Sequence, residues 1–86
     1  MSFFVYMLRT NDTKKTKTYV GYTNSLLNRL KKHNSNKGAK STKGRIWILI
    51  YKKKFISKSK AMSYEYKLKN DRIKRKKISK NILKSI

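Results

Sequence analysis

The chain has 86 residues, no cysteine, and 25 Lys and Arg against three Asp and Glu, for a formal net charge of +22. That length holds one domain with a modest core, and without cysteine there are no disulfides and no thiolate metal sites. So concentrated a positive charge needs a polyanion nearby, and nucleic acid fits better than an anionic membrane surface, although the abundance of Lys, Asn and Ile also reflects an A- and T-rich coding bias.

In chain order, Phe3–Leu8 is a short run of strand formers and reads as a buried strand. Residues 9–17 form a polar loop, with Asn11-Asp12 as its turn signal. Thr18–Tyr22 is a second strand, so the pair reads as a hairpin. Thr23 or Asn24 is expected to cap a helix that runs to about Asn34, with Leu26, Leu27 and Leu30 as its apolar stripe. A basic, Gly-containing loop covers residues 35–45, and Ile46–Tyr51 is the third strand. Ser57 or Ser59 caps a second helix over about 58–70. The tail from Asp71 is basic, with Ile78, Ile82, Leu83 and Ile86 at helical spacing. The expected fold is α/β (α+β), a small three-stranded antiparallel sheet covered by helices. Residues 1–70 form the domain and 71–86 a basic helical tail. No run of about 20 apolar residues occurs, and the first eight residues are too short for a signal peptide. The expected setting is the bacterial cytoplasm, with no membrane association.

Three acids make the carboxylate chemistry easy to survey. Asp12 falls in the hairpin loop and Asp71 at a helix end, both ordinary solvated places. Glu65 instead falls among Ala61, Met62 and Leu68 on the core-facing stripe of the second helix. A carboxylate there needs a cation. It is either one half of a salt bridge or a ligand for a hard divalent ion such as Mg²⁺. A hairpin turn at Asp12-Thr13 sets Tyr6 directly opposite Tyr19, and a register shift of two would keep both on one face without pairing them. Paired tyrosines are either packing or a phenol held near cations that works as a base. Arg29 and His33, four apart on the first helix, share the margin of its leucine stripe. Arg suits a two-pronged grip on phosphate, and His suits proton transfer. Both could equally be solvated. Gly21 is either a close-approach point or a chain-turning glycine.

Taken in order, these residues resemble the GIY-YIG nuclease superfamily. The resemblance runs through Phe4-Val5-Tyr6, then Tyr19-Val20-Gly21, then Arg29 in Asn28–Asn34, then Glu65 in the second helix. Gly38–Thr42 and Ser57–Ala61 look like its compact bacterial single-domain branch, related to the catalytic domain of Slx-type structure-specific nucleases. The resemblance implies phosphodiester hydrolysis with one divalent ion, Mg²⁺ or Mn²⁺, held by Glu65. In it Tyr6 activates the attacking water, Arg29 stabilises charge growing on the phosphate, and Tyr19 and His33 orient or assist. Phe4 replaces the first Gly of the family name, which leaves the chemistry alone. Ser41 and Lys43 stand where relatives often carry an aromatic and an Arg, which alters the grip of that loop on substrate. The sequence shows no accessory zinc or DNA-binding domain of the kind that sets substrate choice in other members.

The expectation is a monomeric DNA endonuclease that favours branched, nicked or flapped structures over sequences, with an unidentified protein as one route to targeting. RNA stays open as a substrate. A non-catalytic nucleic-acid-binding module is the alternative, and a weaker one makes residues 72–86 an amphipathic helix at an anionic membrane.

Overall fold

A computed structural model of the chain describes residues 2–10, 16–35 and 44–84, with side chains to residue 80. Its elements are β1 (Phe3–Thr10), β2 (Thr18–Thr23), α1 (Leu26–Asn34), β3 (Trp47–Phe55), α2 (Lys58–Asn70) and α3 (Arg72–Lys84). The sheet is three-stranded and antiparallel with β1 in the middle, in the order β2-β1-β3. The expected α+β architecture is therefore the observed one, with the tail as a third helix. The loop carrying Asp12 and the segment with Gly38, Ser41 and Lys43 lie outside the described residues.

The boundaries differ where side chains act on the backbone. Ser25, rather than Thr23 or Asn24, occupies the N-cap position of α1. The Thr23 hydroxyl braces it, accepting from the Ser25 N–H at 3.1 Å. Ser57 caps α2 as expected, its hydroxyl accepting from Lys60 N. β3 runs four residues past the expected end, through Lys52–Lys54 to Phe55. A lysine run reads as loop by composition, but β1 supplies a full ladder of partners, and lysines on an edge strand resist pairing with other chains. Asp71 is not merely solvated. Its Oδ1 accepts from Lys74 N at 3.0 Å and so caps the start of α3.

The sheet separates two apolar layers. Beneath α2 and α3 lie Val5, Met7, Val20 and Ile50 with Ala61 and Leu68, and Ile78 of α3 packs against them. Beneath α1 lie Tyr6, Leu8 and Trp47, joined by Tyr19, Leu26, Leu30 and Leu49. A break in the β1–β3 register between Met7 and Leu8 explains how β3 serves both layers. Met7 pairs with Tyr51 and Leu8 with Leu49, so Ile50 is the extra residue of a bulge. Ile50 and its neighbour Tyr51 both face α2, while Leu49 and Trp47 face α1. Tyr51 then meets Tyr64 of α2 hydroxyl to hydroxyl at 2.6 Å, and Lys74 of α3 donates to Tyr64 at 3.0 Å.

Candidate active site

The hairpin register sets Tyr6 opposite Gly21 and Leu8 opposite Tyr19. This corrects the direct Tyr6–Tyr19 pairing expected from a turn at Asp12-Thr13. The ladder is shifted by two, which preserves faces, so the two rings still meet on the α1 side with centroids 6.3 Å apart. The shift also gives Gly21 a definite role. A Cβ on Gly21 would lie 2.6 Å from the Tyr6 hydroxyl and 2.8 Å from the ring carbon bearing it. The glycine is a close-approach point, and what approaches is the tyrosine of the neighbouring strand.

α1 lays two further groups on this phenol. His33 Nε2 is 2.9 Å from the Tyr6 hydroxyl, and Arg29 Nε donates to the same oxygen at 3.3 Å. Arg29 also hydrogen-bonds Tyr19, so it bridges the two phenols. The helix is rotated further inward than its leucines suggest. His33 is fully buried in the stripe, whereas Leu27 is 76 % exposed and belongs to the outer face. Tyr19 and His33 stack at a tilt with centroids 4.9 Å apart, and Trp47 meets Tyr19 edge-on at 6.5 Å.

This environment fixes protonation. Tyr6 is 2 % exposed. Burial pushes its phenol up to about 12, outweighing the hydrogen bond and charge of Arg29; the charges of Tyr19 and Glu65 act with burial. Burial first, and the Arg29 charge second, hold His33 below the ordinary histidine value. Near neutrality the pair is therefore a neutral phenol and a neutral imidazole. Arg29 can only donate, so the Tyr6 oxygen accepts from it, and the phenol proton is free to point at His33 Nε2.

Glu65 comes from α2, on the other layer. Its side chain is 16 % exposed, and Lys69 contacts its Oε1 at 3.3 Å. Ala61 and Leu68 flank it in the core as expected, but Met62 is 46 % exposed and lies off the stripe. The salt-bridge reading of Glu65 is thus realised through Lys69 one turn on. The pair leaves Oε2 without an ion-pair partner among the described residues, and Glu65 is near enough to act on Tyr6 by charge. No group of three or more His, Asp or Glu among the described residues forms a ready metal cage. One half-buried carboxylate acting by charge on a phenol is instead the sparse, hard-oxygen chemistry that suits Mg²⁺ or Mn²⁺ completed by water and phosphate.

Four contributors had little sequence signal. Asn34 ends α1 and grips β3, its Oδ1 accepting from Trp47 N at 2.7 Å and its Nδ2 donating to Trp47 O at 3.2 Å. Trp47 walls the site beside Tyr19. Lys52 and Lys54, exposed and in register with Tyr6 and Phe4, flank the Tyr6 face of the sheet with positive charge. Their neighbour Lys53 points the other way, over the Tyr64 ring.

The sequence model of the GIY-YIG catalytic domain matches residues 2–79. This chain belongs to the GIY-YIG family. The GIY-YIG match takes in Tyr6, Tyr19, Arg29, His33 and Glu65 and reaches well into α3. Among curated proteins it is similar to a UPF0213 protein of Oceanobacillus iheyensis, 49 % identical over 77 % of this chain and 74 % of that one. It is also similar to a UPF0213 protein of Bacillus velezensis, 45 % identical over 79 % of this chain and 67 % of that one. Among solved structures, the solution NMR structure of a UPF0213 protein from Bacillus halodurans superposes with a TM-score of 0.54 at 39 % identity, covering 93 % of this chain and 84 % of that one. A GIY-YIG domain places the chain in an endonuclease superfamily. No helix among the described residues is long and apolar enough to cross a membrane.

Proposed function

We propose that this chain is a metal-dependent endonuclease that hydrolyses DNA phosphodiester bonds and selects structure rather than sequence. The observation that carries this reading is the buried chain of hydrogen bonds Arg29–Tyr6–His33, with Glu65 within electrostatic reach. Neutral Tyr6 is a poor resting base, since a phenol near 12 is ionised only about once in 10⁵ molecules at pH 7. A relay removes that difficulty. The attacking water passes its proton to the Tyr6 oxygen while Tyr6 passes its own to neutral His33 Nε2, so no free phenolate is needed. The new bond joins the water oxygen to phosphorus, and the bond to the departing sugar oxygen breaks. Arg29 keeps Nε on Tyr6 and turns its remaining N–H groups to the phosphoryl oxygens, where negative charge grows. Tyr19 and Trp47 hold the His33 ring in place. Glu65 would hold the divalent ion, which when bound supplies charge for the phosphate and the leaving oxygen. The half-buried Tyr19, Arg29 and Glu65 meet the substrate, while Tyr6 and His33 work beneath them.

Each helix among the described residues packs against the sheet, so phosphate contacts by the lysine-rich surface would govern binding. A monomer in the bacterial cytoplasm with an unidentified targeting partner completes the proposal. The test is cleavage of labelled branched, flapped and linear DNA with Mg²⁺ or Mn²⁺, comparing the natural chain with Glu65→Gln. Metal-dependent cutting that drops at least 100-fold in the variant, with DNA affinity kept, is expected. Equal binding by both without cutting by either makes the chain a binding module.

A further inference from the structure

α3 spaces Arg72, Arg75, Lys76, Ser79 and Lys80 three and four residues apart. In an amphipathic helix that spacing carries the apolar stripe. Here it carries four cations and a hydroxyl, and Ile78, on another side of the helix, makes the core contact. The cationic ridge faces the start of β2 across a cavity of about 450 Å³, closed by Thr16 and Thr18. Thr18 lies two residues before Val20, on the sheet face away from Tyr6. Among the described residues no carboxylate lines the cavity, and the ion pair Glu65–Lys69 involves none of its residues.

One guanidinium group of the ridge is incompletely satisfied: among the described residues the Arg75 Nε is buried without a hydrogen-bond partner, as is that of Arg9, which is in register with Thr18 but does not line the cavity. Burying such a donor unpaired is costly, and gathering four like charges in a concave surface adds repulsion. An anion seated in the groove offsets both. The distance from Arg72 to Lys80 is about 12 Å along a helix. One nucleic-acid strand carries a charge every 3.4 Å or so of its axis, so about three consecutive phosphates span the ridge. A single phosphate would leave most of it unmatched, and the apolar side chain at its margin, exposed Ile73, is a single residue with no aromatic neighbour on the ridge to anchor it in a bilayer.

We infer that the groove between α3 and the start of β2 is a second phosphodiester-binding site, separate from the Tyr6 site, that holds another segment of a nucleic-acid substrate against the opposite face of the sheet. This rests on the proposal that the chain acts on nucleic acid. A substrate engaged at both places must bend or branch around the domain, which accounts physically for selecting structure over sequence.

The test compares the triple variant Arg72→Ala, Lys76→Ala, Lys80→Ala with a control that removes equal charge elsewhere, Lys60→Ala, Lys67→Ala, Lys77→Ala. All six positions are exposed, so both variants should fold, which circular dichroism checks. Binding to forked DNA is followed by fluorescence anisotropy across a salt series without divalent ions, so nothing is cut. Expected is an affinity at least about tenfold below that of the control, with a log–log salt slope shallower by roughly 2–3. In Mg²⁺ the groove variant should raise KM and keep kcat. Equal losses in both variants would reduce the groove to net charge and overturn the inference. So would loss of binding to phosphatidylglycerol vesicles with DNA binding unchanged. Failure of the natural chain to cut would count against the nuclease reading alone, because the metal-free binding comparison still decides the groove.

Discussion

Tyr6 and His33 form a pair whose protonation is set by burial, and the pair makes the site sensitive to pH in a definite direction. The folded value for His33 is depressed below the free-histidine value. Stability and activity that depend on its neutral form are therefore present above about pH 6.5 and lost as pH falls through the lowered value. A kcat profile with an acid limb below about pH 6.5, abolished in His33→Gln, is the expected signature. Tyr6 works in the opposite sense. Its folded value is raised to about 12, so the stability it contributes is kept below pH 10 and lost between there and pH 12. Gly21 supplies a steric test of the same phenol. Gly21→Ala puts a methyl group 2.6 Å from the Tyr6 hydroxyl, so the ring must move off both His33 and Arg29. A loss of about 1–3 kcal/mol in stability, read by thermal melting, should accompany a fall in kcat of at least 100-fold. The close contact lies between two strands, whereas the sequence signal was only a glycine at a strand end. Four of the five candidate side chains were legible because the chain has so few alternatives: one His, one acid off the loops, and two tyrosines at matched parity. The burial of His33 was hidden, since a polar ring in a leucine stripe looks like a margin until the helix rotation is known.

At the level of elements, α1 is held by an unusual joint. Asn34 pairs with both backbone groups of Trp47, as a neighbouring strand would, and so couples the helix that carries Arg29 and His33 to the strand that carries Trp47. Asn34→Ala leaves both Trp47 groups without this partner and should cost about 1–3 kcal/mol. In a domain of this size that is a Tm lower by roughly 4–8 °C per kcal/mol. Because Asn34 positions the helix that carries Arg29 and His33, kcat should fall further than stability alone requires, and Asn34→Asp should rescue only the bond from Trp47 N–H. The helices and the first two strands were legible from periodicity and, for α2, from its Ser57 cap; the cap of α1 was expected one or two residues early. The true hairpin register was not, because either register leaves the same residues on the same faces. The extension of β3 through Lys52–Lys54 was hidden for another reason: pairing with β1 outweighs the weak strand preference of lysine.

The whole molecule is one sheet with a chemically different layer on each side. α1 closes the layer that holds Tyr6 and His33, α2 and α3 close the other, and Glu65 reaches toward Tyr6 from that second layer. A charge of +22 on so small a body opposes compaction, so polyanions should stabilise the fold well beyond the effect of added salt alone. Duplex DNA at micromolar concentration should raise the melting temperature in calorimetry, by an amount that shrinks as ionic strength rises. No change in Tm with DNA would count against nucleic acid as the natural counter-charge.

The bulge at Ile50 has a consequence for how this chain can change length. On an unbroken strand, Trp47, Leu49 and Tyr51 would all point one way, and the odd residue inverts the parity upstream of it. Deleting Ile50 would therefore remove the bulge and leave Leu49 beside Tyr51 in a regular ladder, with Trp47 and Leu49 still on the α1 side, whereas deleting Ile48 would turn Trp47 to the α2 side and remove the wall behind Tyr19. A one-residue deletion in related chains should accordingly fall at the bulge and spare Trp47–Leu49, whose length is a counting constraint, however freely its apolar side chains are exchanged.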